Sequence, residues 1–411
     1  MLLGIFGLAR SSLAATYYVA TNGNDSNSGG QAQPWRTLQH AADAMIAGDT
    51  VLVQPGTYAG FMTTRPGTLT NPITFKANGT GVILNSRNPN TADIINIENW
   101  SGPAHDYIVV GGFEITGSMR AGVRVINGRG VVIKNNNIHN NGYWGILTGW
   151  TPDIQIINNI AYDQIGANAQ HGIYVSNSNI SPDNPIVRGN ISYGNKQNGI
   201  QLNGDCGTTP TDGWIDGGSI EGNTVYNNGW KGLSIISVRN AIIQNNVIYN
   251  NGLNGGSAGA IHLVAETGAN CTAYPSNNNI VVNNTVNETA IAGIRITHGA
   301  NNVIFNNILI SPNPYVNETG LLEYHDAASS IERTSASGLF VNTNLNDYRL
   351  SLGSPAINIG KLIYQGELAP ATDFDGLSRP SGAYIDAGAY EYLETLFDTT
   401  SPAPPTGLSV I

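Results

Sequence analysis

Few side chains in this sequence can do acid–base chemistry, and those few fall into a pattern. Of its 411 residues only 11% are charged, 18 basic against 28 acidic, giving a formal net charge of −10; an ordinary soluble domain carries about 25% charged residues. Against that sparse background Lys231 stands one residue before Gly232, His262 two after Ala260 and Arg295 two after Gly293. Each of those small residues opens the same short apolar motif. Grouped cations attract an anion and stabilise negative charge that develops on it. An amine or imidazole whose pKa is lowered by neighbouring positive charge takes up a proton. His171 precedes Gly172 in the same way, and Trp144 and Tyr174 offer flat apolar faces of the kind that stack on sugar rings. Taken singly, each of these is an ordinary solvated side chain; the repeat around them is what brings them together.

The motif is a small residue, an aliphatic, an exposed residue and usually another aliphatic. It occurs at Gly122-Val123-Arg124-Val125, Gly145-Ile146, Gly172-Ile173-Tyr174-Val175, Gly199-Ile200-Gln201-Leu202, Gly232-Leu233-Ser234-Ile235, Ala260-Ile261-His262-Leu263, Gly293-Ile294-Arg295-Ile296 and Gly320-Leu321. A second motif alternates with it, an aliphatic pair followed by one or two asparagines. Its aligned positions are Asn136, Asn159, Asn190, Asn223, Asn246, Asn284 and Asn307, each with Ile or Val three residues earlier. The first motif recurs every 23 to 33 residues, an irregular period with a fixed internal register, which means a repeat with loop insertions. Strands of ~3–5 residues, with 50 Gly and 52 Asn in the chain, exclude helical repeats, because both residues disfavour helix. Three short strands per coil, stacked ~4.8 Å apart, satisfy the pattern, with aliphatics filling one core and an asparagine at the same bend of every coil bonding its equivalents above and below. Asparagine also tolerates the left-handed backbone of a sharp bend.

These features resemble the right-handed parallel β-helix proteins of the pectate-lyase-like superfamily, over roughly residues 16–392. Tyr17-Tyr18-Val19-Ala20-Thr21-Asn22-Gly23-Asn24-Asp25 and Gly48-Asp49-Thr50-Val51-Leu52-Val53-Gln54-Pro55-Gly56-Thr57-Tyr58 are similar to the openings of secreted members. So is Pro34-Trp35-Arg36-Thr37-Leu38-Gln39-His40-Ala41-Ala42, where Leu38, Ala41, Ala42 and Met45 share one face of a capping helix. Asp373-Phe374-Asp375-Gly376, Arg379-Pro380 and Asp386-Ala387-Gly388-Ala389-Tyr390-Glu391-Tyr392 resemble a closing motif, read as a salt-bridged cap rather than a calcium site. The fold expected is all-β: a single-stranded right-handed parallel β-helix of ten to twelve coils spanning 16–395, with an N-terminal cap over 16–60 and a C-terminal β cap over 335–395.

The resemblance implies that the small-residue strands line a carbohydrate groove. Alternation then puts Arg124, Tyr174, Gln201, Ser234, His262 and Arg295 on its face, flanked by Trp144, His171, Asn198 and Lys231. For members of this superfamily it implies cleavage of uronate-containing polysaccharide by β-elimination, using a cationic base. Lys231 is the preferred base and His262 the second; Arg295 neutralises the substrate carboxylate, and His171 or Tyr174 serves the leaving oxygen. Trp144, Tyr174, Gln201, Asn198, Ser234, Arg124 and Glu266 are the substrate-binding set. Calcium is a candidate cofactor, with Asp205 and Asp212 as ligands. The chain departs from the superfamily's calcium-dependent lyases in lacking an Asp-Asp-x-x-Asp cluster, and from alginate epimerases in lacking Asp-Pro-His-Asp, so no specific family is assigned. A glycoside hydrolase or epimerase using carboxylates among Asp205, Glu266, Glu323 and Asp326 stays open, as does a non-catalytic carbohydrate-binding or surface protein.

The chain ends carry a further expectation. Residues 1–15 are apolar and close on Ser12-Leu13-Ala14-Ala15 like a signal segment, and 396–411 read as a Pro-rich linker opening a further domain. Cys206 and Cys271 lie in insertions two coils apart, and a disulfide between them fits a secreted, modular, monomeric protein. No apolar run reaches the ~18 residues of a membrane span, and the acidic balance without basic runs excludes nucleic acid as the main partner.

Overall fold

The computed structural model describes residues 14–99, 102–164, 166, 170–176, 182–207, 211–266 and 274–393. The Pro-rich tail, and the signal-like segment apart from Ala14 and Ala15, lie outside the described residues. So does Cys271, and with it the expected disulfide to Cys206.

The chain winds into a right-handed parallel β-helix whose walls are three long parallel sheets. The sheet of small-residue strands (sheet 1) has ten strands, the next in chain order (sheet 2) twelve and the third (sheet 3) eleven. One coil, for example, contributes Ala121–Ile126 to sheet 1, Val132–Lys134 to sheet 2 and Asn137–His139 to sheet 3. A fourth sheet of four short strands fills the corner between sheets 1 and 2 from Ile215 to Ala300. The aliphatics three residues before the asparagines, from Ile133 to Ile304, are fully buried and form one column of the core.

The asparagine ladder is continuous. Side-chain Nδ2 of Asn136, Asn159, Asn190, Asn223, Asn246 and Asn284 donates to Oδ1 of the next asparagine at 2.9–3.1 Å, ending on Asn307. Each Oδ1 also accepts a backbone N–H from the coil before, as Asn190 does from Asn159 at 2.9 Å. The left-handed backbone belongs to the residue just ahead, namely Asn135, Asn158, Asn245, Asn283 and Asn306 with φ of 52–56°, and Gly189 and Gly222 in two coils. The two jobs assigned to one asparagine are therefore divided between neighbours.

A second ladder runs through the corner between sheets 3 and 1: Asn141, Gln164, Asn195, Asn228, Asn251 and Glu288. It explains the small residue that opens each sheet 1 strand. A Cβ on Gly199 would lie 2.3 Å from Val225 Cγ1 and 2.8 Å from Asn228 Nδ2, so the ladder amide occupies the space a larger residue needs. On the outside of sheet 3, Tyr162, Tyr193, Tyr226 and Tyr249 stack 4.8–4.9 Å apart and within 6° of parallel.

A helix over Leu38–Ala44, capped by the Thr37 side chain, buries Leu38, Ala41 and Ala42 over the open end of the core. Met45 is buried too, just beyond the helix. The C-terminal segment contains two short antiparallel hairpins and docks along a corner of the solenoid. The left-handed asparagines hold it: Asn245 donates to Thr372 O at 2.8 Å, Asn283 to Asp386 O at 2.9 Å and Asn306 to Lys361 O at 2.8 Å. Arg379, fully buried, reaches Glu391 at 2.5 Å, Asn245 Oδ1 and two backbone carbonyls. This is the salt-bridged cap that the closing motif suggested.

One unit departs from the sequence expectation. Gly320-Leu321 does not open a sheet 1 strand; Tyr315–Asn317 pairs there instead, with Val316 opposite Arg295. Asn317 Oδ1 accepts from Thr319 N and Oγ1, turning the chain away before Gly320.

Asn190 shows what a ladder member does. Its Nδ2 donates to Ile156 O and Asn223 Oδ1, and its Oδ1 accepts from Asn159 N and Nδ2. Asn190→Ala removes all four bonds, leaves the buried Asn159 N–H without its acceptor, and is expected to cost about 3 kcal/mol. Asn135→Ala, which only strains a left-handed position, is expected to cost about 1 kcal/mol. Urea unfolding midpoints of the two variants check the order.

Candidate active site

The sheet 1 strands begin where the second ladder ends each turn, so their outward side chains are held in strict register. One column runs from Arg124 through Leu147, Tyr174, Gln201, Ser234 and His262 to Arg295, each paired with the next. A flanking column begins with Trp144 paired to His171. It continues because Asn198 N–H donates to His171 Nδ1 at 3.2 Å and Lys231 N–H donates to Asn198 Oδ1 at 3.1 Å. Lys231, His262 and Arg295 thus occupy successive coils, with Lys231 in the flanking column.

The three are not equivalent cations. Arg295 is in an ion pair with Glu318, so the role of neutralising a substrate carboxylate is already filled by a protein carboxylate. Arg124 is likewise paired with Glu98, both side chains mostly buried. His262 is pushed down to about 3, first by burial and then by Lys231, Arg295 and His298, and is uncharged at neutral pH; its Nε2 lies 3.3 Å from Thr297 Oγ1. His171 is also pushed down to about 3, by burial and then by Lys231. Because its Nδ1 accepts from Asn198 N–H, the neutral ring carries its proton on Nε2. Lys231 Nζ is 3.4 Å from Ser234 Oγ, and burial lowers the amine to about 8. The cause expected from the sequence was neighbouring positive charge; desolvation does it instead. Nearby cations act on the histidines.

Polar groups beside these columns are tightly tied. Asn198 Nδ2 donates to Gln201 Oε1 at 2.6 Å, and Asn203 Nδ2 to Tyr174 OH at 2.9 Å. Burial raises the Tyr174 phenol to about 12. Ser176 Oγ donates to Asp205 Oδ2 at 3.0 Å. Glu266 is raised by burial and then by the charge of Asp205. Sequence reasoning did not single out Asn203, Ser176, Thr297, Glu318 or Glu98.

Among the described residues no group of three His, Cys, Asp or Glu side chains converges to hold a metal. Asp205 accepts from Ser176, and Asp212 accepts from the Trp214 N–H at 3.1 Å. Asp205 and Asp212 are joined by no third such side chain among the described residues.

Comparison with known proteins agrees with the fold. Residues 17–202 match the family model described as Pel9A-like, right handed beta helix region, and residues 214–336 match that described as right handed beta helix region. Over 60 residues the chain is 43% identical to the uncharacterized protein YwoF of Bacillus subtilis (strain 168), a match covering 14% of this chain and 13% of that protein. Among solved structures it is similar to pectate lyase Pel9A, at 19% identity over 92% of this chain and 97% of that one, with a TM-score of 0.62. It is also similar to a glycoside hydrolase, at 8% identity over 78% and 97% of the two chains, with a TM-score of 0.58. At such identities the likeness to the solved structures is one of fold. The chain carries matches to two right-handed β-helix family models and folds as a right-handed parallel β-helix.

The two buried histidines give a direct test. Ring resonances of His171 and His262 should stay unchanged in NMR spectra between pH 8 and pH 5. The unfolded chain protonates both near 6.5 while the folded chain does so only near 3. Their contribution to stability is therefore present above about 6.5 and lost as the pH falls, by about 1.4 kcal/mol per pH unit for each ring.

Proposed function

We propose that this protein is a polysaccharide lyase that cleaves a uronate-containing glycan by β-elimination, with Lys231 as the base. The observation that carries the reading is the half-buried Lys231 amine, lowered to about 8 by desolvation in the middle of the sheet 1 face. At pH 7 about a tenth of such amines are free, and near pH 8 about half. The free amine takes the proton from the carbon next to the uronate carboxylate. The electron pair becomes a carbon–carbon double bond, and the glycosidic oxygen leaves from the neighbouring carbon and takes a proton from water. The fraction of Lys231 still protonated on binding supplies charge attraction for the carboxylate. His171 and Tyr174 lie two coils from Lys231, about 10 Å, where an uncharged ring and a phenol that keeps its proton position the sugar chain. The fold likeness to a pectate lyase supports the reading without assigning the sugar.

A second reading rests on Asp205 and Glu266. Glu266 is raised by burial and then by Asp205, the direction a general acid needs, and a carboxylate pair is what a glycoside hydrolase requires. The two readings separate in one screen of acidic and neutral polysaccharides, read by ultraviolet absorbance and by reducing ends together. A lyase gives both signals; a hydrolase gives reducing ends alone. For the lyase, kcat should rise with pH through about 8, and Lys231→Ala should lower it at least a hundredfold while Glu266→Gln has a lesser effect. Reversal of that order favours the hydrolase.

A further inference from the structure

The flank of the candidate site carries an aromatic feature that the lyase chemistry does not use. Trp230 precedes the candidate base and is 47% exposed, whereas Trp35 is buried and Trp144, Trp150 and Trp214 are partly covered. Its place in the stack is fixed by the backbone. Trp230 N–H donates to Gln197 O at 2.9 Å, Gln197 N–H to Gln170 O at 3.0 Å, and His171 N–H to Tyr143 O at 3.2 Å. Tyr143, Gln170, Gln197 and Trp230 therefore form a further column, on four successive coils, immediately ahead of the one holding Trp144, His171, Asn198 and Lys231. The Tyr143 and Trp144 rings adjoin, with centroids 5.4 Å apart, and Trp144 lies 6.3 Å from Tyr174.

The column has aromatic ends and a polar middle. Three coil steps of ~4.8 Å separate Tyr143 from Trp230, about 14 Å in all. A coil step is about the rise of one sugar unit in an extended glycan, so an aromatic at each end spans three such steps, with the partly exposed Gln197 amide between for a hydroxyl or carboxylate group, while Gln170 is buried and donates to Gly166 O. An exposed indole level with the proton-accepting amine has no core to fill, and sugar faces are apolar surfaces of matching size.

We infer that Trp230 and the Tyr143–Trp144 pair are two sugar-stacking platforms of one binding track, so that the protein requires an acidic glycan of at least four sugar units. The inference rests on the glycan reading above and deepens it: one platform grips the sugar at the scissile bond, the other a sugar three units away.

The test uses size-graded oligomers of two to eight units from galacturonan, alginate and xylan. Turnover is followed for the wild-type protein, and binding by calorimetry for Lys231→Met. The expected result is a rise of at least tenfold in kcat/KM between trimer and tetramer of one acidic series. Trp144→Ala should remove about tenfold from kcat/KM on tetramer and longer chains and leave the trimer unchanged. Trp230→Ala should lower kcat/KM on every length, and Trp230→Phe should restore most of it. If nothing is turned over but Lys231→Met binds tetramers tenfold better than trimers, and Trp144→Ala abolishes the difference, the track stands and the lyase reading falls. If turnover occurs with no step between trimer and tetramer, or Trp144→Ala acts equally on all lengths, the track falls and the lyase reading stands. Absence of both turnover and length-dependent binding in all three series overturns both.

Discussion

A buried primary amide must place two donors and an acceptor, and in an apolar corner every failure costs on the order of 1–3 kcal/mol. The column from Asn136 to Asn307 meets that demand by making each coil the hydrogen-bond partner of the next. Coil height, strand register and the direction of the sheet 2 to sheet 3 corner are thereby locked together. Within the ladder, variation in coil length is displaced to the other two corners, which border sheet 1. The part of the molecule that cannot vary thus delivers its freedom to the edges of the face where the candidate site lies.

That face also shows how burial outranks charge attraction in setting protonation. A row of cations was the simplest reading of Lys231, His262 and Arg295, yet Arg295 is paired with Glu318 and His262 is neutral. Lys231 keeps a titratable amine near the working pH because the sheet withholds water from it. The same effect keeps the Tyr174 phenol protonated and raises Glu266. A single basic group in a largely uncharged, aromatic-flanked surface is a narrower device than an electropositive groove, and in the lyase proposed above it confines the proton transfer to one coil.

Most of the fold was legible because the repeat combines two strong local signals, an aliphatic at minus three from each ladder asparagine and a small residue at each sheet 1 start. The side-chain columns on sheet 1 followed from alternation alone. The second ladder was equally present, five residues after each asparagine from Asn136 to Asn246, but its mixture of Asn and Gln, and the Glu288 that ends it one residue early, hid the period. The partners of the arginines were illegible for a different reason. Glu98 ends a strand, Ile95–Glu98, that has no small residue ahead of it, and Glu318 follows Tyr315–Asn317, a strand displaced from the Gly320 motif. Neither rung carried the repeat's signature, so neither carboxylate was aligned with its neighbour. The desolvation of Lys231 depends on packing from adjacent coils, which spacing does not report.

The way the C-terminal segment docks has an evolutionary corollary. Asn245, Asn283 and Asn306 serve both as bends and as anchors for residues 361–388, so the last three turns of the asparagine ladder are tied to a unique clasp. Upstream, between Asn136 and Asn223, the equivalent bends hold no such clasp among the described contacts. Gain or loss of a whole 23-residue turn there would lengthen or shorten the cylinder while the clasp travelled intact. Lineages of this molecule are then free to change the extent of their working surface by whole rungs, and only from the amino-terminal side of the clasp.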